Sequence, residues 1–386
     1  MGIMANTVSI YQYRVIGEVP PDPESWVGEA LRKNAFSGIE ATPDEEALGW
    51  VTLDDHLDSA FENPNTFHRG DYLFFTLRRD RRRVPGPFLK NMLTQECRRW
   101  LEHHPNFKRV PSKRKAEIRE NLHVSLLPRV LPVPSTVDLV WNTVLDIVTV
   151  ATTNNKTLEL VEEEFRQSFS GLILSPIHPM ERARMVVSEE LKTALTRADQ
   201  AASADVLLQI KKNRWVGWDF LLWLMHQTSL SGSRYAVTRP GPLEQGAPFF
   251  AYVQEGIKLS HERENSIRTS HIIGAQEDFA EARKALQAGK NVEEGIIFFE
   301  LDDRSWNLNL KGHLFAMGSY KCPPVRLEKD IADDEALERE AGFFERMALL
   351  EGGLQLFDSL FQVFLTERLG AAWEQRSRAM KKWIES

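Results

Sequence analysis

Residues 71–104 have the sequence DYLFFTLRRDRRRVPGPFLKNMLTQECRRWLEHH, and the period of the apolar side chains changes once within it. The run 71–77 is dense in aromatic and aliphatic residues, which is typical of a strand. After the Pro85-Gly86-Pro87 turn, apolar residues recur every three or four positions, as they do along one side of a helix. The stretch therefore predicts a strand followed by a helix that ends near His103-His104.

Further elements follow on both sides of this stretch. A second helix is predicted over 112–127, and the apolar run 137–150 predicts one bent strand or two strands. An amphipathic helix is predicted over 154–169, and residues 8–16 predict a strand near the N-terminus. Helices and strands in this irregular order predict an α+β fold.

Two patterns stand out toward the C-terminus. Residues 295–301 and 306–310 predict two strands of a hairpin, joined through Asp302-Asp303-Arg304-Ser305. Beyond them, apolar residues step by three and four along one helix: Phe343, Met347, Leu350, Leu354, Phe357, Phe361 and Phe364. This stripe favours packing within its own domain, with a coiled-coil dimer seam as the alternative. Gly352-Gly353 interrupts the stripe, which either a close approach of this helix to another element or a simple break in the helix would explain.

The length of 386 residues allows two or three domains. We expect a central α+β domain formed by 1–77 and 130–181, with a basic helical hairpin inserted at 78–129. This hairpin segment is called the tip below. A second α+β domain, the base, is expected over 182–327, and a C-terminal helical segment over 328–386.

The tip is strongly basic in an acidic protein. It carries 15 Lys/Arg and 5 Asp/Glu, a local charge of 15 − 5 = +10, whereas the whole chain carries −7. The remainder therefore sums to −7 − 10 = −17. A polyanion would be attracted to the tip and repelled by the rest, and nucleic acid is the commonest such partner.

Ten cationic side chains are the candidate phosphate contacts: Arg78, Arg79, Arg81, Arg82, Arg83, Lys113, Arg114, Lys115, Arg119 and Arg129. Arginine and lysine neutralise phosphates without requiring a particular base sequence. Aromatic residues are sparse among them, which favours duplex DNA over stacked single strands. The sequence thus predicts sequence-independent binding of double-stranded DNA.

Catalytic motifs are not found in the sequence. The cluster Asp54-Asp55-His56-Leu57-Asp58 is most simply a helix start with solvated acids, and no converging set of acid, base and nucleophile accompanies it. We therefore expect a protein that is not an enzyme and that needs no cofactor or metal. Two alternatives stay open: a DNA-processing nuclease, and a scaffold protein whose basic hairpin binds an acidic protein partner.

Composition also indicates a location. Cys97 and Cys322 lie far apart and suggest neither a zinc site nor a disulfide framework, which favours a reducing cytoplasm. The N-terminus lacks the pattern of a signal peptide. The most apolar run, 218–225, is too short for a membrane span. We expect a cytoplasmic, nucleoid-associated protein without a membrane partner.

Several motifs resemble the bacterial recombination-associated RdgC family. Gly49-Trp50-Val51 is followed by a strand, a proline-flanked helix, a Lys/Arg-rich helix and the block Leu126-Leu127-Pro128-Arg129. The order and spacing are similar to the family over about residues 45–180. Ala288-Gly289-Lys290, followed by two strands, also resembles the family, whereas 182–270 is longer and divergent.

The resemblance implies a non-enzymatic protein that binds duplex DNA independently of sequence. It implies a ring-shaped homodimer around the duplex, with a basic inner surface and the acids outside, that restrains RecA-driven recombination. In the family the hairpin pairs with its twin near the Leu-Leu-Pro-Arg block, which usually precedes an aromatic residue. Val130 and Leu131 take that place here. Leu127, Val130 and Leu131 are therefore the dimer candidates, together with the stripe residues Phe343, Met347, Leu350, Leu354, Phe357 and Phe361.

Overall fold

The computed structural model describes residues 2–40, 42, 44–201, 205–230, 232–263, 266–274, 278–326 and 335–386. Its contacts group the chain into two units. Unit 1 comprises Met1–Ile16, Trp141–Glu162 and Ile173–Ser386, and unit 2 comprises Gly17–Val140 and Glu163–Leu172. These two units do not coincide with the four expected segments. The tip lies wholly in unit 2, and the described parts of the base and C-terminal segments lie together in unit 1.

The helices and strands confirm a mixed α+β architecture. Unit 1 contains β1 (Thr7–Ile16), β6 (Ile147–Val150), β7 (Ile173–Pro176), α5 (Pro179–Val186), α6 (Lys192–Ala198), α7 (Val206–Lys212), α8 (Trp215–Ser229), β8 (Arg234–Ala236), β9 (Pro248–Arg263), β10 (Ser266–Ile272), α9 (Ala280–Gln287), β11 (Asn291–Leu301), β12 (Arg304–Lys311), β13 (Ala316–Lys321), α10 (Glu335–Leu369) and α11 (Trp373–Glu385). Unit 2 contains α1 (Pro23–Lys33), β2 (Glu46–Val51), β3 (His68–Arg69), β4 (Tyr72–Arg81), α2 (Gly86–Glu102) and α3 (Ser112–Leu126). Two elements contribute residues to both units, β5 (Val133–Asn142) and α4 (Asn155–Ser168).

A large antiparallel sheet forms the frame of unit 1. Its strands follow the order β10-β9-β11-β12-β13-β1-β6, with β7 also paired to β1 and β8 paired to β9. The predicted N-terminal strand and the predicted hairpin of β11 and β12 are both confirmed. Asp302 adopts a positive φ of 53° in the tight turn between the hairpin strands, a conformation that Asp tolerates better than most residues.

The core of unit 1 lies between this sheet and α10. The indole nitrogen of Trp306 donates to the carbonyl of Leu349 at 2.8 Å, and the hydroxyl of Tyr320 donates to the carbonyl of Leu350 at 2.8 Å. A Cβ at Gly353 would lie 2.7 Å from Cδ1 of Trp306. The close approach expected at Gly352-Gly353 is therefore present, and it joins the helix to strands β12 and β13.

Helix α10 is also long and apolar enough to cross a membrane over Leu337–Leu369. In its most apolar 18-residue window, 72% of the residues are buried inside the protein. The stripe packs against an aromatic cluster, because the ring of Phe220 in α8 contacts the rings of Phe357, Phe361 and Phe364. This burial is typical of the core helix of a globular unit.

Strand β4 is the centre of unit 2. It pairs antiparallel with β2 and β3, and β5 is hydrogen-bonded to it. The core beside it contains the fully buried Trp50, whose ring lies edge-on to Phe75 with centroids 4.9 Å apart. The indole nitrogen of Trp50 donates to Ser168 Oγ at 2.7 Å. The buried tryptophan, with its polar atom hydrogen-bonded, fixes β2 against the end of α4.

The tip is a hairpin of α2 and α3 that is well packed only where it joins β4 and β5. A small cluster of Val84, Leu89, Leu126 and Leu127 is buried there. Along the rest of the two helices the apolar side chains are half-buried or exposed. At the far end, Trp100 stacks on His104 with centroids 4.1 Å apart.

Candidate nucleic-acid interface

Arg78 is committed to contacts inside unit 2. Its guanidinium donates two hydrogen bonds to the buried carboxylate of Asp80, each 2.8 Å long, and a third to the carbonyl of His56 at 2.9 Å. It also lies 4.3 Å from the centroid of the Phe36 ring. The hydrogen bonds to Asp80 raise the pKa of Arg78. A bidentate pair of this kind holds β4 in place and leaves little of the guanidinium for a phosphate.

Arg82 is buried, with only 2% of its surface exposed. Its guanidinium donates to five backbone carbonyls: Ile39, Glu40, Thr42, Asp44 and Val130, at distances from 2.5 to 3.2 Å. Every donor atom is thereby used, and the side chain joins the segment before β2 to the end of the tip. The prediction of a phosphate contact at Arg82 is corrected, because its guanidinium is out of reach of any ligand.

Arg79 and Arg81 share one acidic neighbour. Arg79 Nε lies 2.7 Å from Glu46 Oε1, in a half-buried ion pair across β2 and β4. Arg81 is more exposed, and its nitrogens lie 3.9 Å from carboxylate oxygens of Glu45 and Glu46. Pairs as loose as those of Arg81 contribute little and exchange readily for a phosphate.

The remaining candidates project into solvent. Lys113, Arg114, Lys115 and Arg119 are exposed on α3, and Arg83 and Arg129 are exposed at the two ends of the tip. Arg114 donates to Glu117 at 2.8 Å, one turn along the helix. Within the part of the chain that the structure describes, the other five form no ion pair.

Five further cations contribute to the charge of the tip without being candidate sites, and one of them, Arg99, forms an ion pair with Glu96 at 2.7 Å. Lys90 and Arg98 are exposed on α2, and Lys108 and Arg109 are exposed in the loop that joins the helices. None of the four forms an ion pair with another described residue. The high local charge of the tip is the sequence signal that could have identified these four residues. Whether a cation contacts a polyanion depends on its exposure and not on its clustering in the sequence.

The predicted dimer residues fall into two classes. Leu127 is buried in the cluster where the tip joins β4 and β5, and Val130 packs against that cluster. Leu131 is 83% exposed, and Phe107, Val124 and Val133 are exposed apolar residues of the same unit. The stripe residues of α10, by contrast, are buried within unit 1: Phe343, Met347, Leu350, Leu354, Phe357 and Phe361.

A model of the protein family described as "Putative exonuclease, RdgC" matches residues 8–214, which is more than half of the chain. The chain belongs to the RdgC family. A comparison with curated proteins finds no match.

The family match confirms the resemblance over residues 45–180 and extends it on both sides, whereas Ala288-Gly289-Lys290 lies beyond the matched residues. It begins inside β1 and ends just before α8, so it includes all of the tip. Membership in the RdgC family supports an association with DNA and with recombination. The sheet strands β8–β13 and helices α8–α11 lie beyond the matched residues.

The acidic cluster at 54–58 differs from its prediction. It is not a helix start but an irregular segment, in which the carboxylates of Asp55 and Asp58 accept from the backbone nitrogens of Leu57 and Ala60. Asp54 forms an ion pair with Arg69. Among the described residues, no group of three or more His, Cys, Asp or Glu side chains is placed to hold a metal ion.

Proposed function

We propose that this RdgC family member binds duplex DNA through the phosphate backbone, without reading bases, by means of the exposed cations of the tip. One observation carries the proposal: Lys113, Lys115 and Arg119 of α3 are exposed and form no ion pair among the described residues. Their charge is therefore available to a polyanion. Arg81, Arg83, Arg114 and Arg129 extend the same set, and Arg78 and Arg82 hold the scaffold beneath it.

The mechanism is release of counterions from DNA. Each phosphate that a cation neutralises makes the slope of log affinity against log salt more negative by ~0.9. A surface with six to ten such contacts would lose ~10³–10⁵ in affinity between 50 and 200 mM salt. Because the contacts are to phosphates, affinity should be uniform across base sequences.

The decisive experiment is a charge reversal with a matched control. The variant K113E/K115E/R119E should bind duplex DNA more weakly at every sequence. The magnitude of its salt slope should fall by ~2.7, which corresponds to the loss of three phosphate contacts. The control K284E/K381E/K382E makes the same change of net charge at three exposed lysines of unit 1. Fluorescence anisotropy titrations at several salt concentrations measure both quantities. Equal affinity of the two variants would reject the tip as the interface.

We further propose a homodimer that encircles DNA and modulates RecA-dependent homologous recombination at the nucleoid. The family membership and the exposed apolar residues of the tip support this part of the proposal. A closed ring should be retained on covalently closed circles at a salt concentration that releases it from linear duplex. Equal release from both forms would argue against encirclement. RecA strand exchange with and without the protein tests the recombination step.

Hydrolysis of DNA is the second candidate function, because the family description names an exonuclease. We propose binding without hydrolysis. Incubation of end-labelled linear duplex with Mg²⁺, with and without chelator, distinguishes the two. Chelator-sensitive shortening of the label would establish the nuclease. Failure to bind duplex at moderate salt would instead favour an acidic protein as the partner of the tip.

A further inference from the structure

A polar groove of about 500 Å³ lies in unit 1. It is lined by Thr7, Val8 and Ser9 of β1, by Ala151, Thr152, Thr153 and Asn154 after β6, by Lys311 at the end of β12 and by Ser319 of β13. Of these lining residues one is cationic and none is acidic. We call this site the hydroxyl groove. Its composition differs from that of a surface selected only for solubility, where both signs of charge are interspersed.

The polar side chains of the groove are arranged as donors. Ser9 Oγ accepts from the backbone nitrogen of Ser319 at 3.1 Å, and Thr152 Oγ1 accepts from the backbone nitrogen of Asn154 at 3.1 Å. Asn154 Oδ1 accepts from the backbone nitrogen of Thr157 at 3.2 Å. A hydroxyl carries one O–H and an amide carries two N–H donors. The O–H groups of Ser9 and Thr152 and the N–H groups of the Asn154 amide donate to no other described residue, so these donors remain for a ligand.

The charge of Lys311 is not cancelled by the acid that faces it. Glu294 lies opposite Lys311 in the antiparallel register of β11 and β12. That carboxylate instead accepts from Lys258 Nζ at 2.5 Å, on the far side of β11. Lys311 forms no ion pair with any residue that the structure describes. An ammonium group therefore adds its charge to the donors of the groove.

We infer that the hydroxyl groove binds a phosphate group, and that its source is the backbone of duplex DNA. Phosphate oxygens are acceptors that carry negative charge, so they match a site composed of donors and one cation. This inference rests on the proposed function for its ligand, and it adds a second contact with DNA, on a different unit from the tip.

Two variants of the full chain test the inference. Lys311→Ala removes one cation, which should lower duplex affinity about fivefold at 0.15 M salt and reduce the salt slope by ~0.9. Thr152→Val replaces the hydroxyl by a methyl group in a side chain of similar shape. This change should lower duplex affinity about threefold and leave the salt slope unchanged. Lys381→Ala, at an exposed lysine of α11, is the control for loss of a single charge. Thermal unfolding confirms that each variant is folded at the temperature of the titration.

The outcomes separate this inference from the proposed function. If K113E/K115E/R119E weakens binding but Lys311→Ala behaves like Lys381→Ala, the groove is not a DNA contact and the tip proposal stands. If the wild type shows no salt-dependent duplex binding, the proposed function fails, and pyrophosphate becomes the probe. Thermal stabilisation by pyrophosphate that Lys311→Ala abolishes would assign the groove to a free phosphate compound and overturn the DNA backbone as its ligand. Lack of stabilisation would overturn the phosphate site altogether.

Discussion

Neighbouring arginines of one basic run have opposite roles. Arg82 is enclosed by five backbone carbonyls, whereas Arg83 is exposed. Arg82→Met should lower the free energy of unfolding by about 3 kcal/mol, because buried carbonyls lose charged donors. Arg83→Met should change it by less than about 0.5 kcal/mol, as surface substitutions do. Urea unfolding measures both, and similar values for the two would contradict the burial of Arg82.

His226 should make the stability of unit 1 depend on pH. Burial lowers the pKa of this imidazole below its usual 6.5; Arg376 lowers it further and Glu367 opposes the shift. Its Nδ1 is buried without a hydrogen-bond partner among the described residues. Below pH 6.5 the unfolded chain therefore binds a proton more readily than the folded one, so stability falls as the pH is lowered through this range.

The matched variants are His226→Gln and His103→Gln, the latter at an exposed position of the tip. Between pH 7 and about 5.5, His226→Gln should lose less stability than the wild type, whereas His103→Gln should lose the same amount. Urea unfolding at the two pH values gives the comparison. If all three proteins had parallel profiles, the imidazole of His226 would not be the group that titrates.

At the scale of elements, the packing of α10 on the sheet depends on one of two adjacent glycines. A Cβ at Gly353 would collide with Tyr320 and Trp306, whereas a Cβ at Gly352 would lie 3.4 Å from Leu243, an ordinary contact. Gly353→Ala should therefore destabilise by about 1–3 kcal/mol, as overpacked cores do. Gly352→Ala should be neutral or stabilise by up to ~1 kcal/mol, since alanine favours the helix. Equal effects in urea unfolding would contradict the close approach.

Elements were predictable where the signal is local. The strands β11 and β12, the helix α4 and the stripe of α10 each follow from the period of apolar side chains within a short stretch. The roles of single cations were not predictable, because burial depends on distant partners. The carbonyls around Arg82 come from residues 39–44 and from Val130, which nothing in the run RRDRRR indicates. The donors of the hydroxyl groove likewise come from four separate parts of the chain.

For the whole molecule, the proposed dimer makes a prediction about Leu131. This side chain is 83% exposed next to the buried cluster of the tip, and Ile273 of unit 1 is 92% exposed. Leu131→Asp should shift the protein toward a monomer in sedimentation velocity and abolish its preferential retention on closed circles. Ile273→Asp should leave both unchanged. Dimers that persist in Leu131→Asp would place the interface elsewhere.

The organisation into two units could not be derived from the sequence, because it depends on contacts between distant parts of the chain. The family motifs over residues 45–180 lie within the matched residues 8–214. They did not indicate that the first strand belongs with the last ones. Local patterns specify β1 as a strand, but only tertiary pairing specifies that its partner is β13.

That pairing has a consequence for biosynthesis. Strand β1 emerges from the ribosome before strands β2–β13, yet its neighbour β13 begins at Ala316 and the helix that covers the sheet ends at Leu369. All residues of unit 2 have been translated by Leu172. That unit can therefore fold while β1 still lacks its neighbour β13. Nascent chains arrested before β13 should consequently recruit chaperones, and premature stop codons late in the message should yield insoluble product rather than a working fragment.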